Sequence, residues 1–429
     1  MPFFSIIIPV YNVAAYLSDC IDSVLCQHCV DIEIILVYDC SSDGSGEICD
    51  CYAQKHSFIR AIHFETNRGV AAARNQGVTF AKGKYIIFID SDDCLFSGSL
   101  DGVRKLIESS SGCDLIVCRY ISENGVLSNG PLFEPAVIAR DPEMLLRHIT
   151  RLNYHLDHCW HFVLDRSFVL RNEIRFIDVL IAEDGEYITR ALALCNSIAF
   201  YEGDFYWYRE RDGSLKSSYG VAQSASFLKI ATAMYQTAMN VSISDARRDF
   251  IISQTRHALG VFSARLVMHS VSDIPSFSSA ITTDEFLSIC RFLPLINIAA
   301  VVSAQGDISG ALSAYKEALE NSTISLVALS DASRIYIYCT GPIGEAVMQT
   351  LLDKGCAIEG VIDDNASLSG RTLCGKKIRT PSIFLTMTKE ELSALLVIVC
   401  NQKKYAFEKI AGSLMELGIM RDQIVQRMF

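Results

Sequence analysis

Three acidic side chains follow directly after an apolar run in the segment YIIFIDSDDCL. The segment places Asp90, Asp92 and Asp93 at the end of a predicted buried strand. Carboxylates two residues apart at such a turn can share one hard divalent cation, and that cation can bridge the two phosphates of a diphosphate leaving group. An isolated D-x-D is more often a solvated acidic turn, because short acidic loops are common. By itself, the motif leaves both interpretations open.

The elements that must position these acids alternate between strand-like and helix-like periods. Continuous apolar runs predict four strands, at 4–10, 32–37, 58–64 and 85–89. Helical periods predict helices between them, at 14–25, after Asp43, and at 69–81. This βαβαβαβ order is typical of a parallel sheet with crossover helices. Such sheets bind ligands beyond the carboxyl ends of their strands, where Tyr11, Asn12, Asp39 and the acidic turn are expected.

Length and charge limit the functional class. A chain of 429 residues exceeds one ordinary core, and its 50% hydrophobic content argues against extensive disorder. The net charge of -11 and the pI near 5.3 disfavour a nucleic-acid partner. Pro9 and Asn12 interrupt the first apolar run, and Pro294 and Asn297 interrupt the stretch 292–304, so we expect neither an export signal nor a membrane span. The 16 cysteines then suit a reducing cytosol.

Three segments that follow one another along the chain favour the functional interpretation of the acidic turn. They are IIIPVYN, LVYDCSSDGS and NRGVAAARNQGVTFAKGKYIIFIDSDD. In this order and spacing the chain resembles the family 2 glycosyltransferases of the GT-A fold. A weaker similarity continues through CWHFVLDRSFVLRNEIRFIDVLIAEDGEYITRAL to FYWYRERDGSLKSS, and so covers about the first half of the chain. The resemblance implies an α/β nucleotide-sugar-binding domain, inverting transfer, and a divalent cation, Mn2+ or Mg2+.

The resemblance also implies a donor site. Its predicted nucleotide-sugar ligands are Pro9, Tyr11, Asn12, Asp39, Asn67, Gly69, Arg74, Asn75, Asp90, Ser91, Arg209 and Arg211. Asp39 would accept the imide N–H of uracil, and Asp90 and Asp92 would hold ribose and metal. An internal ion pair of Arg74 with one of these acids is an equally good alternative. Tyr208, Arg209, Arg211 and Ser214 would form a flap over the diphosphate, for which planar guanidinium donors are well suited, or else a solvated basic loop.

The pair Glu183 and Asp184 resembles the E-D motif of the family, at the start of an amphipathic helix. Inverting transfer requires a carboxylate to take the proton of the acceptor hydroxyl, so Asp184 is the candidate base. Glu183 is the second candidate and better suited to orienting a neighbour. Acids at a helix start also complement the helix dipole without any chemistry.

Two departures from the family pattern weaken parts of this prediction. The usual D-D-G-S is Tyr38, Asp39, Cys40 and Ser41 here. The lysine often found two residues after the tryptophan is replaced by Phe162. Any acceptor or phosphate contact by that lysine is therefore lost.

Two further clusters have alternative interpretations. His155, His158 and His161 recur every three residues, which predicts that they share one face of an aromatic-rich helix. That face could bind a metal ion, contact the acceptor or pack in the core. Cys26 and Cys29, with Cys49 and Cys51, could form a zinc site. Small buried side chains are the simpler interpretation of these cysteines.

We predict a GT-A glycosyltransferase domain at 1–220, a helical connector at 221–329 and a Rossmann-like nucleotide- or sugar-binding domain at 330–429. The prediction of the Rossmann-like domain rests on C-T-G-P-I-G at 339–344, followed by Asp363 and Asp364. In this segment Cys339 replaces the first glycine of the dinucleotide motif. The segment GVIDDNASLSGRTLCGKKI resembles Rossmann-like domains attached to polysaccharide-biosynthesis enzymes.

The predicted activity is inverting transfer of a hexose-type sugar from a UDP-sugar to a glycan or lipid-linked saccharide in surface polysaccharide synthesis. Two alternatives stay open: a non-catalytic nucleotide-sugar-binding protein, and a bifunctional enzyme whose C-terminal domain binds or modifies a nucleotide sugar. We expect a cytoplasmic protein. Peripheral association with the inner face of the membrane and homo-oligomerisation are compatible with the sequence.

Overall fold

The computed structural model describes residues 1–27, 31–110, 112–122, 127–128, 141–152, 154–156, 158–209, 220–240, 242–289, 292, 308–328, 334–338, 342–353, 355–400 and 404–426. The chain forms two compact units. The first contains Met1–Arg151, Leu156–Ser218 and Thr237–Ile251, and the second contains Leu152–His155, Tyr219–Gln236 and Ile252–Phe429. The three-domain division predicted from the sequence stays a prediction.

The chain up to residue 208 alternates strands and helices. Its strands are β1 (Phe4–Val10), β2 (Ile32–Tyr38), β3 (Ile59–His63), β4 (Tyr85–Phe88), β5 (Cys94–Leu95), β6 (Leu115–Ser122), β7 (Leu127–Ser128), β8 (Phe162–Asp165) and β9 (Ile198–Tyr208). Its helices are α1 (Ala14–Leu25), α2 (Ser45–Lys55), α3 (Val70–Phe80), α4 (Ser99–Ser109), α5 (Pro142–Leu152), α6 (Arg166–Arg171) and α7 (Glu183–Leu194). The predicted βαβαβαβ order of the first ninety residues is confirmed.

One mixed sheet organises the first unit. Across the described residues its strand order is β3-β2-β1-β4-β8-β6-β9-β5, with β7 paired to β6. The strands β3, β2, β1 and β4 are parallel, and every residue of β1 is buried, as expected for a central strand covered on both faces. Pro9 is tolerated in β1 because the pairing with β4 ends at Ile7.

The helix α3 packs closely on β1. A Cβ added to Gly77 would lie 2.2 Å from Cγ2 of Ile7, so only a hydrogen atom fits between helix and sheet at this point. This approach fixes the face of α3 that carries Arg74, one helical turn earlier. The sheet thereby positions a guanidinium near the carboxyl ends of its strands.

The other half of the sheet is antiparallel where it joins the first half. Strand β8 pairs antiparallel with both β4 and β6, and β5 pairs antiparallel with β9. Strand β6 runs parallel to β9, with a register shift between Cys118 and Tyr120. These antiparallel pairings make the sheet mixed, as in the predicted GT-A class. They also bring β9 beside the turn that follows β4.

The remaining chain contains further helices and a second sheet. The helices are α8 (Val221–Asn240), α9 (Asp245–Met268), α10 (Ile274–Ser278), α11 (Thr283–Ile289), α12 (Ile308–Ala328), α13 (Pro342–Asp353), α14 (Lys389–Ser393) and α15 (Lys404–Glu416). Short 3-10 helices lie at Val271–Asp273, Ala366–Leu368, Pro381–Thr386 and Arg421–Gln423. The strands are β10 (Arg334–Tyr338), β11 (Ile358–Ile362), β12 (Thr372–Leu373), β13 (Lys376–Arg379), β14 (Leu395–Val399) and β15 (Ile424–Gln426).

The second sheet has the order β12-β13-β11-β10-β14-β15 among the described strands. All pairs except β12 with β13 are parallel, and α13 connects β10 to β11. The motif residues Cys339, Thr340 and Gly341 lie outside the described residues, so the Rossmann-like assignment stays a prediction. None of the helices in the described part of the chain combines the length and apolar character needed to span a bilayer.

Candidate active site

The loops after β1 and β2 are tied together at the carboxyl edge of the sheet. Asn12 adopts a left-handed backbone conformation, with φ of 51°, and its N–H donates to Oγ of Ser41 over 3.0 Å. Its side-chain oxygen accepts from the N–H of Ser42 over 2.9 Å. Tyr11, just before it, is half-exposed, whereas Pro9 is buried within β1. Asn12 therefore links two loops, and Tyr11 is the neighbouring side chain that solvent reaches.

Asp39 accepts hydrogen bonds from the backbone that leads into α3. Its two carboxylate oxygens accept the backbone N–H groups of Arg68 and Gly69 over 2.6 and 2.8 Å, and the residue is only 2% exposed. The side chain of Asn67 donates to the carbonyl of Asp39 over 3.3 Å. Each oxygen of a carboxylate has a second lone pair, so the group can still accept a further donor. The contact with uracil stays a prediction.

The backbone conformation at residue 69 requires glycine. Its φ is 84° and its ψ is 161°, in a region that only glycine adopts readily. An added Cβ would meet no atom within 4 Å, so the requirement comes from the backbone and not from crowding.

Arg74 is a buried bridge between two carboxylates. Its Nη2 atom lies 2.7 Å from Oδ1 of Asp90, and its Nη1 atom lies 2.7 Å from Oε1 of Glu183. Burial lowers the pKa of this guanidinium, but the surrounding Cys159, Asp90 and Glu183 raise it more, so its pKa is well above the ordinary value. The ring of Phe176 covers the guanidinium at 5.3 Å. The structure thus shows the internal ion pair that the sequence left open for Arg74.

Asn75 also makes internal contacts. Its side-chain amide donates to the carbonyl of Phe176 over 2.8 Å and accepts from the N–H of Phe176 over 2.9 Å. This reciprocal pair fastens α3 to the segment before α7. The ring of Phe176 also stacks on Tyr187 of α7, with centroids 3.9 Å apart.

The acidic turn after β4 contains two kinds of carboxylate. The Asp90 side chain is 30% exposed and Asp92 is half-buried, whereas Ser91 and Asp93 are buried. Asp93 accepts from the hydroxyl of Tyr206 over 2.7 Å and from the N–H of Arg209 over 2.8 Å. Burial, reinforced by Asp90 and Asp92, raises its pKa to about 8.

The hydroxyl of Tyr206 connects both ends of this turn. It donates to Asp93 and accepts from the N–H of Asp90 over 3.1 Å. Asp93 therefore anchors the turn to β9, whereas Asp90 and Asp92 are only partly buried. Sequence reasoning gave Asp93 no role of its own. The sequence does not indicate that Asp93 is an anchor, because its partner Tyr206 lies more than one hundred positions later.

The helix α7 begins with the second acidic pair, after Ala182 in a left-handed conformation. Burial and the neighbouring Asp184 raise the pKa of Glu183. For Asp184 burial acts in the same direction, but His158 and Arg74 outweigh it and lower its pKa below the ordinary value. Nδ1 of His158 lies 3.8 Å from Oδ2 of Asp184. The environments separate the two acids, and Asp184 is the one held ionised.

Aromatic side chains form a stack next to this pair. Trp160 stacks on His158 at 4.8 Å, on Tyr206 at 4.3 Å and on Tyr208 at 5.8 Å. Trp160 is only 2% exposed, whereas Tyr208 is half-buried. The stack joins β9 to the loop before β8 and lies on the His158 side of Asp184.

The predicted histidine helix is wrong. Residues 154–156 and 158 have no helical structure, and His158 precedes a turn into β8. His155 stacks on His257 with centroids 3.6 Å apart and contacts Gln254. His161 is buried, stacks on Tyr120, and has a pKa well below the ordinary value because of its burial. Tertiary contacts with aromatic neighbours, not helix period, place these three rings.

The basic segment after β9 is described only in part. Arg209 donates to Asp19 on α1 over 3.1 Å, and its guanidinium lies 4.9 Å from the Tyr16 ring. Arg211 and Ser214 lie outside the described residues, and so does Cys29 of the cysteine pairs. Cys26 and Cys51 are exposed, and Cys49 is buried in α2. In the described part of the chain, no group of three His, Cys, Asp or Glu side chains is arranged to hold a metal ion.

Comparison with known proteins agrees with this geometry. Residues 5–171 match the family model described as Glycosyl transferase family 2; this range begins within β1 and contains β2 to β4, the acidic turn and β8. Over these residues the chain is similar to glycosyl transferase family 2. Asp184 and the end of β9 lie beyond the matched residues.

Among curated proteins, bacterial glycosyltransferases are similar to about half of the chain. The uncharacterized glycosyltransferase EpsJ of Bacillus subtilis is 33% identical over 222 residues, which are 50% of this chain and 63% of that protein. Glycosyltransferase GlyG of Streptococcus pneumoniae is 29% identical over 49% of this chain and 72% of its own length. The chain thus spans less than two thirds of EpsJ.

A solved structure supports the fold assignment. The crystal structure of S. aureus TarS 1-349 in complex with UDP-GlcNAc has a TM-score of 0.52 and 19% identity, and covers 83% of this chain and 93% of that one. At this identity the similarity concerns the fold alone. The GT-A class predicted from the sequence is confirmed.

Proposed function

We propose that residues 1–220 of this chain form a metal-dependent inverting glycosyltransferase of family 2. It transfers a hexose-type sugar from a UDP-sugar to a saccharide or lipid-linked saccharide acceptor in surface polysaccharide synthesis. The observation that supports this most directly is the bridge made by Arg74. One buried guanidinium joins Asp90, at the end of β4, to Glu183, which is adjacent to the candidate base Asp184.

The donor side of the proposal rests on the carboxyl edge of the parallel strands. Tyr11, Asp39, Asn67 and Asp90 follow the ends of strands or lie before α3 at this edge, where ligands bind in such sheets. The structurally similar TarS was solved with UDP-GlcNAc, which supports a nucleotide sugar as the ligand class. The contacts of individual residues with base, ribose and diphosphate are part of the proposal.

The partly accessible carboxylates Asp90 and Asp92 fit a Mg2+ or Mn2+ ion. Mg2+ is commonly held by one or two protein carboxylates together with substrate phosphates and water, so a preformed cluster of three protein ligands is unnecessary. When bound, such an ion neutralises negative charge that develops on the diphosphate leaving group. Asp93 is unsuited to this role because it is buried and accepts hydrogen bonds from Tyr206 and Arg209.

On the acceptor side, Asp184 takes the proton of the attacking hydroxyl. A base must be ionised to do this, and the lowered pKa of Asp184 keeps it ionised at neutral pH. Arg74 holds Glu183 in place beside it. The half-buried Tyr208, stacked on Trp160, offers an aromatic face of the kind on which sugar rings pack.

The test is a panel of nucleotide sugars with Mn2+ or Mg2+, read as metal-dependent donor hydrolysis and as donor binding by thermal shift. We expect one UDP-sugar to stabilise the protein and to be turned over. Asp184→Asn should keep donor binding and lose transfer by about 10²–10⁴-fold. The matched control is Asp204→Asn on the exposed part of β9, which should retain both.

Each failure has a separate meaning. No response to any nucleotide sugar would overturn the proposal as a whole. Donor binding without turnover in the wild-type chain would favour a non-catalytic nucleotide-sugar-binding protein. Full transfer by Asp184→Asn would remove Asp184 from the role of base while leaving the donor site intact.

A further inference from the structure

A cavity of about 530 Å³ lies between α3 and the segment that follows α6. We name it the α3 cavity. Its lining includes Arg68, Gln76, Leu170, Arg175, Phe176 and Asp178. Asp90, Asp92, Glu183 and Asp184 do not line it, so the cavity is separate from the acidic residues of the candidate active site. Its volume is within the range of pockets that bind small molecules.

Two arginines give the α3 cavity its positive charge. Within the described residues, neither Arg68 nor Arg175 forms an ion pair with a carboxylate, although the Arg68 guanidinium lies 4.6 Å from the ring of Phe64. Asp178 is a single opposing carboxylate in the same lining, so the charged side chains sum to a net positive site. Planar guanidinium groups match the geometry of phosphate oxygens and bind them with paired hydrogen bonds.

The rest of the lining suits a sugar ring. Gln76 offers amide donors and an acceptor for hydroxyl groups, and its side chain makes no hydrogen bond among the described residues. Leu170 is 46% exposed, and Ala71, Ala72 and Val78 provide further apolar surface. A sugar presents both hydroxyl edges and C–H faces, so a mixed lining of this kind accommodates it better than it does a purely apolar or a purely ionic ligand.

Asn75 and Phe176 lie between the cavity and the acidic residues. Asn75 and Phe176 line the cavity and are bonded to each other by two hydrogen bonds. The ring of Phe176 contacts the Arg74 guanidinium, which holds Asp90 and Glu183. A ligand in the cavity therefore lies one side-chain layer away from the candidate site without entering it.

We propose that the α3 cavity is a second binding site for a saccharide that carries a phosphate group. The phosphate binds between Arg68 and Arg175, and the sugar ring lies against Gln76 and Leu170. The site goes beyond the proposed transfer reaction, and binding to it requires neither a donor nor a metal ion.

The test is isothermal titration of glucose 1-phosphate into the full chain in EDTA, with and without saturating UDP. We expect binding that persists in UDP, because Asn75 alone of the predicted donor ligands lines the cavity, and its amide is bonded to Phe176. The variant Arg68→Ala/Arg175→Ala should weaken it by about tenfold or more, as expected for loss of charge-assisted hydrogen bonds. Arg171→Ala is the matched control, since this neighbouring guanidinium is 64% exposed and does not line the cavity.

Several results would overturn the proposal. They are no binding at concentrations on the order of 10 mM, equal affinity in the double variant and the wild type, and complete displacement by UDP. Equal affinity for inorganic phosphate would also overturn it, because the sugar ring would then contribute nothing. These outcomes are independent of glycosyl transfer, so a failure here leaves the proposed function standing, and the reverse also holds.

Discussion

Nδ1 of His158 lies 3.8 Å from Oδ2 of Asp184, and the same imidazole stacks on Trp160. This places a titratable ring between an acid and an aromatic stack. The acid is the candidate base of the proposed reaction, and His158 is among the groups that lower its pKa. His158 is therefore a positioning residue whose removal should alter how the activity depends on pH.

The substitution His158→Gln tests this relationship. Without the imidazole, the pKa of Asp184 rises, so the acidic limb of the rate profile should move to higher pH. The measurement is kcat/KM for transfer between pH 4 and 8 in the wild type and the variant. His56→Gln is the control, because His56 precedes the start of β3 and so lies at the edge opposite to the carboxyl ends of the strands. An unchanged acidic limb with reduced activity would indicate that His158 acts only through packing.

Loss of Arg74 should destabilise the first unit strongly. Arg74→Met leaves the buried Glu183 and the partly buried Asp90 without their cation, and breaking a buried pair in this way costs about 3–5 kcal/mol of unfolding free energy. Urea unfolding measures the change. Arg104→Met breaks partly exposed pairs with Asp31 and Glu108 and should cost no more than about 1 kcal/mol.

A second variant tests whether the cost comes from the uncompensated acid. Combining Arg74→Met with Glu183→Gln removes one carboxylate together with its partner and should recover part of the loss. If the double variant is as unstable as the sum of the single variants, the residues are not coupled, and the bridge has no energetic meaning.

Gly69→Ala should destabilise the protein through the backbone alone. The positive φ of Gly69 is costly for any residue with a Cβ, by about 1–3 kcal/mol, although the space around it is open. Gly412→Ala is the matched control, because Gly412 also has open space but lies in the helix α15, where alanine should stabilise by about 0.5–1 kcal/mol. Opposite signs of the two changes in urea unfolding are the expected result. Equal effects would contradict the conformational argument.

Asp93 should make the stability of the protein depend on pH. Its pKa is about 8 in the folded protein against an ordinary value of 3.8, so the folded state holds this proton more tightly than the unfolded chain does. The stabilisation is complete below pH 3.8 and is lost as the pH rises to about 8. In EDTA, the fall in Tm from pH 5 to pH 8 should therefore be smaller in Asp93→Asn than in the wild type. Asp204→Asn should keep the wild-type fall, and identical falls in all three proteins would refute the assignment.

The parallel half of the first sheet could be predicted because its signals are local. The apolar runs that form β1 to β4 and the helical periods of α1 and α3 need only neighbouring residues to be recognised. The antiparallel strands β8 and β5 depend on pairing with distant strands, and so does the irregular register of β6 on β9. The periodicity of the sequence does not indicate which distant strands pair with each other.

The candidate site was predictable to a similar degree. Sequence reasoning named Asp90, Arg74 and Glu183, and the structure brings the three together. It could not decide whether Arg74 serves a ligand or an internal pair, since both need the same residue type. The spacing of the histidines matched a helix by coincidence, because aromatic contacts in a loop place side chains without regard to period.

The Arg74 bridge also has a consequence for the order in which the chain is made. Asp90 and Arg74 come from the first ninety residues, whereas Glu183 is added about ninety residues later, roughly 5 to 20 seconds at the usual rates of synthesis. During that interval the nascent parallel strands contain an arginine with only one of its two acidic partners. The emergence of α7 from the ribosome is therefore the event that completes the charge balance of this edge, and ribosome pausing before residue 183 would prolong the vulnerable stage.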